Sequence, residues 1–464
     1  MSEHRPTSAS LWTRLWRSAV REPFTGDRRS RLRLVMNNLI LHLHPAQVPA
    51  RSLRFTYSWG LGGLSALLVA LLAVTGAMLM FVYVPAPDQA YQSILALNTQ
   101  VWYGQLVRNL HHWAGNALVI VVALHLLRVF FTGAFREPRA FNWLIGLALL
   151  LLTVLANFTG YLLPWDQLAY WGITVGTGIL TYMPGIGNWL SQLLLGGPEI
   201  GSATLLNFYG LHLSVIPLAL LFLMSLHFWR VRKDGGLSLP RGVDEPAGVK
   251  DETVTSFADL VRPEAVWATV TLTALGLWAM LVNAPLEPLA NPDVSPNPAK
   301  AAWYFLGIQE LLLHFHPLIG AIVIPGLALV ALAALPYLDS DMDSVGVYFR
   351  SRRGRWLAAF SAAAGVLLTV GYVLADEFYL DLPAWLPSLP TLFSNGLVPL
   401  AALVLGLIGY AEAIRRWFRA TKCETTLSLF VLVLAGFLVL TLIGIFFRGP
   451  GMALMWPWEV AAGH

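Results

Sequence analysis

The chain has 464 residues, 56% of them hydrophobic (AVILMFWYC) and only 12% charged, with a mean hydropathy of +0.62. A soluble domain carries about 25% charged residues, so a disordered chain, a nucleic-acid-binding domain and an ordinary cytosolic enzyme are excluded. Thirty basic residues against 26 acidic ones give no polybasic surface, and a single cysteine, Cys423, rules out a disulfide framework or an iron–sulfur cluster held by this chain alone.

In chain order, the first 56 residues form a basic N-terminal segment. Within it Leu11, Trp12, Leu15, Trp16, Ala19 and Val20 share one helical stripe beside Arg14, Arg17 and Arg21, which predicts a helix lying in the membrane interface. No removable signal peptide is expected. A spanning helix needs about 20 apolar residues, and nine runs qualify: Tyr57–Val84, Val107–Phe131, Asn142–Leu163, Leu206–Phe228, Ala265–Ala284, Pro317–Leu338, Trp356–Ala375, Gly396–Ile414 and Leu427–Phe447. The eighth is interrupted by Pro399. The fold class expected is an all-α polytopic membrane protein: residues 57–232 a four-helix domain, 233–262 a charged linker, 263–464 a second membrane domain. Twenty-six of the 30 lysines and arginines fall on the side that holds the N-terminus. That asymmetry places the N-terminus in the cytoplasm and the C-terminus, after nine spans, outside.

The chemistry begins with histidine. His111 and His125 lie 14 apart in the second span; His212 and His227 lie 15 apart in the fourth. At about 100° per residue, each pair returns to one face within roughly 40–60°, its members about 21–23 Å apart along the axis. His112 falls off that face. Spans two and four run in the same direction, so His111 is level with His212 near the outer surface and His125 with His227 near the inner one. Two imidazoles opposed at one depth can provide the two axial ligands of a haem iron. A single intramembrane histidine is more often a packing or proton-path residue; four in register on two co-directional helices favour two stacked b-type haems. Gly62 and Gly76 in span one, and Gly146 and Gly160 in span three, repeat the spacing of 14. Positions without a side chain admit a flat macrocycle, although small residues also serve helix packing. Arg108 lies three before His111 and Arg128 three after His125, placed for haem propionates or for anchoring at the membrane edge.

These motifs resemble the cytochrome b subunit of quinol-oxidising Rieske/cytochrome bc complexes. The likeness rests on RNLHHWAGNALVIVVALH from Arg108, FTGYLLPWDQLAYW from Phe158, the His212–Lys233 segment and, more loosely, RGPGMALMWPW from Arg448. The spacing of 15 and the sequence RVRKDGG are closer to the chloroplast type, whose two chains look fused here. The resemblance implies that His111 and His212 bind the outer haem and His125 and His227 the inner one. It also implies a Rieske iron–sulfur partner, a c-type cytochrome, a dimeric complex in the bacterial cytoplasmic membrane, and charge and proton translocation between an outer quinol site and a cytoplasmic quinone site. The outer site would use the loop around Trp165–Thr177 and the loop between spans five and six.

Where the family has Pro-Glu-Trp-Tyr, this chain reads Ala301-Ala302-Trp303-Tyr304, so the carboxylate is missing and the quinone leans towards menaquinone. Glu310, pointing back, is the replacement proton acceptor expected, ahead of Glu287 and Asp293; His314 and His316 are expected to be solvated loop residues. At the cytoplasmic quinone site Lys233, Asp234, His42 and His44 are weak candidates. Gly60 replaces the cysteine that attaches an extra haem in the chloroplast type, so no thioether-bound haem is expected. The five-span second half implies an added helical hairpin among spans seven to nine. Two other readings stay open: a dihaem anchor conducting electrons for a dehydrogenase or hydrogenase without quinol bifurcation, and a non-redox transporter.

Overall fold

A computed structural model describes residues 47–246, 252–255, 260–339 and 341–462. The interfacial helix expected over Leu11–Val20, and His42 and His44, lie outside the described residues. Among the described residues nine helices are long and apolar enough to cross a membrane. They are α1 (Leu61–Leu79), α2 (Gly104–Phe131), α3 (Ala140–Tyr161), α5 (Ser202–Lys233), α6 (Arg262–Leu281), α8 (Leu318–Leu338), α9 (Arg352–Phe378), α10 (Phe393–Trp417) and α11 (Lys422–Phe446). Among the shorter helices between spans are α4 (Gln167–Thr181) and α7 (Leu306–His314). Large apolar side chains such as Phe222, Leu281 and Leu367 face outward, as lipid-facing surfaces require.

The helix boundaries have local causes. The first span is shorter than its apolar run because Trp59 and Gly60 are both left-handed (φ 52° and 62°), which breaks the helix just before Leu61. Three spans contain a π-helical turn, at Leu211–Val215, Leu318–Val323 and Phe393–Leu397, and each is followed at the second residue by a proline: Pro217, Pro325 and Pro399. Proline donates no hydrogen bond and its ring crowds the carbonyl four residues back; a widened turn gives that carbonyl room. Pro399 therefore sits in the first regular turn of α10, and does not interrupt the span as the sequence suggested.

α1, α2, α3 and α5 form the first bundle. Its midplane is filled by Leu68, Ala114 and Leu118. Near the ends of α2 and α3 a second core of Phe130, Phe135 and Trp143 meets Leu335, Ala358, Leu427 and Val431, joining the two halves of the chain. A two-stranded antiparallel ribbon pairs β1 (Gln47–Pro49) with β2 (Thr253–Thr255), and Arg51 bonds Glu245 at 2.6 Å. The segment before the first span is thus tied to the linker.

Candidate functional site: two levels of paired histidines

The fold brings the four histidines together in the pairs read from the sequence. The rings of His111 and His212 have centroids 6.1 Å apart, and those of His125 and His227 6.5 Å. An imidazole nitrogen sits about 2 Å from a bound transition metal, which puts two axial rings about 6 Å apart, centre to centre. Both levels meet that requirement. The spacing of 15 in α5 is reconciled by the π-turn at Leu211–Val215, which contains His212. One surplus residue is absorbed in the wide turn, so the pair shares a face as a spacing of 14 does in α2.

Each predicted glycine faces one predicted histidine. A Cβ on Gly76 would lie 3.1 Å from His111 Cε1, and one on Gly160 2.6 Å from His212 Cε1. On Gly62 it would lie 3.4 Å from His125 Cε1, and on Gly146 3.7 Å from His227 Cε1. Gly160 and Gly76 thus make room for the imidazoles themselves, while at Gly62 and Gly146 a Cβ would make only ordinary contact with the facing ring.

Threonines missed in the sequence complete the first level. Thr75 Oγ1 is 2.9 Å from His111 Nδ1, and Thr159 Oγ1 is 3.1 Å from His212 Nδ1, which also lies 3.0 Å from the Ala156 carbonyl oxygen. Hydrogen bonds at Nδ1 orient each ring and leave Nε2 for a ligand. The repeated Thr-Gly dipeptide, at 75–76 and 159–160, was the available signal. At the second level the buried Nδ1 of His125 has no hydrogen-bond partner among the described residues. A cavity there is lined by His125, His227, Gly146, Asn142, Arg128 and Arg139. Arg128 bonds the Tyr57 carbonyl at 2.9 Å, while among the described residues its buried Nη2 has no hydrogen-bond partner. Arg139 was not anticipated; its Nε donates to the Gly236 carbonyl at 3.1 Å. Arg108 is placed differently from the reading above. Its guanidinium donates to the carbonyls of Ala284 (3.0 Å) and Pro285 (2.5 Å), fastening the loop after α6.

That loop is held along much of its length. Asn109 and Trp113 of α2 donate to the carbonyls of Ala279 and Val282. Gln167 donates its backbone N–H to the Pro288 carbonyl, and Ala290 its own to the Trp165 carbonyl. At its end, Trp303 Nε1 donates to Asn116 Oδ1 at 2.6 Å, and Phe305 packs edge-on against Phe158. Tyr304 lies within electrostatic reach of Tyr161, which also feels Asp166 and Glu287. Burial raises the Tyr304 hydroxyl. Burial likewise pushes the Asp166 carboxyl up, against hydrogen bonds from the backbone N–H groups of Ala169 and Glu287.

Glu310 does not point back to this region. It is fully buried and clamped by Arg448, with Nη2 2.6 Å and Nε 2.9 Å from Oε1. His314, expected in solvent, is buried too; its Nδ1 is 2.6 Å from Asp376 and its Nε2 3.5 Å from Glu310. Arg448 also reaches Glu377 at 2.8 Å. The helical turn after Tyr304 directs Glu310 and His314 towards α9 and the end of α11. His316 is half-buried beside Tyr182. At the other end of the bundle Asp234 pairs with Arg230 at 2.9 Å and Lys233 lies over Trp229.

The geometry defines a class: an all-α polytopic membrane protein whose first bundle opposes histidines at two depths. Comparison with known proteins gives the family. Residues 48–235 match the family described as Cytochrome b/b6/petB, and residues 289–386 the one described as Cytochrome b(C-terminal)/b6/petD. A cytochrome b6 of Prochlorococcus marinus (strain AS9601) is 39% identical over 175 residues, 38% of this chain and 80% of that protein. A cytochrome b6 of Heliobacterium mobile is 38% identical over 192 residues, 41% of this chain and 88% of that protein. A solved chain titled "Hyperthermophilic respiratory Complex III" superimposes with a TM-score of 0.62 at 23% identity, over 90% of this chain and 98% of that one, which shows a shared fold. The chain belongs to the cytochrome b/b6 family, whose members carry b-type haem and work in electron transport. The second matched region runs from residue 289 to 386, beyond α9, so α6 before it and α10 and α11 after it lie outside both matched regions.

Proposed function

We propose that this chain is the dihaem cytochrome b subunit of a quinol-oxidising bc-type complex, oxidising quinol at an outer site and delivering electrons across the membrane to a cytoplasmic quinone site. The observation that carries this reading is the one-to-one matching of four glycines to four histidines at two levels, with ring separations that suit one metal per level. His111 and His212 hold the outer haem, and His125 and His227 the inner one. Haem supplies one-electron transfer at each level. Thr75 and Thr159 orient the outer ligands, while Arg128 and Arg139 offer positive charge to the propionates of the inner haem.

Quinol binds near Trp303 and Tyr304, in the loop that α2 and the Trp165–Gln167 segment hold against the first bundle. Ala302 offers no carboxyl, and Glu310 is committed to Arg448. Proton uptake from quinol therefore falls to the carboxyls beside Tyr161, with Asp166 ahead of Glu287 because burial raises its affinity for a proton. Quinol bifurcation requires a Rieske iron–sulfur protein, and a c-type cytochrome is the onward acceptor. We assign the complex to a bacterial cytoplasmic membrane, as a dimer using menaquinone, with the N-terminus in the cytoplasm and the C-terminus outside.

The test is the purified complex. A reduced-minus-oxidised spectrum should show two b-type haems, and His212→Leu should remove the outer one alone. Rapid oxidant-induced reduction of the outer haem, with cytoplasmic-site turnover blocked, should follow quinol addition. Lack of any b-haem band rejects the assignment, and two haems without that reduction favour the electron-conducting anchor.

A further inference from the structure

Asn116 sits in an apolar stretch of α2, five residues beyond His111, about 7.5 Å further along the axis. A half-buried amide in a membrane helix is costly unless both of its ends are bonded, and here both are. Nδ2 donates to the His112 carbonyl at 3.0 Å and lies 3.2 Å from His112 Nε2. Those contacts occupy the donor end and aim Oδ1 at Trp303, whose Nε1 donates to it at 2.6 Å. His112, which faces away from the ligand pair, therefore has a use: it fixes which way the Asn116 amide points.

The other attachments of α2 gather where the loop begins: Arg108, Asn109 and Trp113 reach backbone carbonyls between Ala279 and Pro285, and Gln105 and Asn109 bond the Asn283 side chain at 2.8 and 3.1 Å. The Asn116–Trp303 bond differs in place, because it lies at the loop's far end and holds the side chain next to Tyr304. Trp303 opens the short turn Trp303–Phe305 that presents Tyr304 and leads into α7. The next contact of that turn, Phe305 on Phe158, is apolar and does not fix direction.

We propose that Asn116 is a positioning residue for quinol oxidation, pinning Trp303 to the helix that bears His111 so that bound quinol keeps a fixed distance from the outer haem level. This rests on the function proposed above. Misplacing reacting groups by about 1 Å can cost on the order of 10²-fold in rate, so a single directional bond at the site is worth holding.

The test is a double-mutant cycle in the intact complex with Asn116→Ala, Trp303→Phe and the pair. Each single change should lower quinol-oxidation kcat by about tenfold with little change in quinol KM. The double variant should be no slower than either single one. Haem content and both midpoint potentials should match the wild type. Asn116→Ser, which can still bond the His112 carbonyl but is too short to reach Trp303, should behave as Asn116→Ala. Additive losses, or a Trp303→Phe complex as fast as the wild type, overturn the pin. A wild-type complex in which quinol never reduces the outer haem instead defeats the underlying function, so the two failures are separable.

Discussion

At the scale of single residues, the clearance at the four glycines is unequal, and that inequality makes a graded prediction. A Cβ at Gly160 would stand 2.6 Å from His212, at Gly76 3.1 Å from His111, at Gly62 3.4 Å from His125 and at Gly146 3.7 Å from His227. Alanine should therefore displace ligands most at Gly160, then Gly76, and leave Gly62 and Gly146 nearly unharmed. The last two should even gain from alanine's better helix propensity, by about 0.5–1 kcal/mol. Haem content per level in the four alanine variants checks the order, and equal loss at all four sites would refute it. Thr75→Val and Thr159→Val keep the shape but remove the hydroxyl beside Nδ1. Thr75→Val should raise the midpoint potential of the His111/His212 haem, because the imidazole loses a bond that makes it a stronger donor; Thr159→Val should raise it less, since His212 Nδ1 keeps the Ala156 carbonyl, and both should leave the other haem unchanged. The glycines and histidines were readable because periodicity alone aligns them. The threonines carried only the repeated Thr-Gly dipeptide as a signal, since hydroxyls back-bonding within a helix are common and the fold reveals which ones also meet a ring.

At the scale of elements, α7, α9 and the end of α11 meet through buried charge. Glu310 and Arg448 are almost wholly out of solvent, and removing one partner of such a pair strands the other, at a cost of about 3–5 kcal/mol. Arg448→Met should lower the complex's thermal midpoint sharply, and Glu310→Gln in the same background should recover part of the loss. Burial alone would lower the affinity of His314 for a proton, but hydrogen bonds and charge from Asp376 and Glu310 reverse the direction and raise it. A group with a raised folded-state value contributes its stability fully below the unfolded pKa, near 6.5, and loses it as pH rises through the folded value. The wild-type thermal midpoint should therefore fall above pH 6.5 by more than that of His314→Gln; parallel curves would exclude the effect. The sequence concealed this cluster because Glu310 and Arg448 lie 138 residues apart. Spans were legible from hydropathy, yet the three π-turns were not, since a proline in an apolar run reads equally as a break.

At the scale of the whole molecule, all four histidines and all four glycines lie between Leu61 and Lys233, so the linker should be severable. Co-expressed pieces 1–246 and 252–464 should assemble with both haems, held by the loop bonds to α2 and by the core around Phe130 and Leu427. A reduced-minus-oxidised spectrum of the copurified pieces decides it; loss of either haem would show that continuity matters. The second half was the less legible one. Its chemistry depends on where a long loop is fastened, and backbone carbonyls as anchor points carry no sequence signature.

The wide coil around His212 has a consequence for length changes in α5. It stores one spare residue, so a chain lacking Ser214 alone can close that coil to ordinary α geometry and keep both imidazoles on the same side. Removing Leu220 instead takes a residue from regular helix and swings His227 by about 100° relative to His212. Deletion scanning between the two histidines should reveal a short window of tolerance at 213–215, followed by positions where the inner haem is lost.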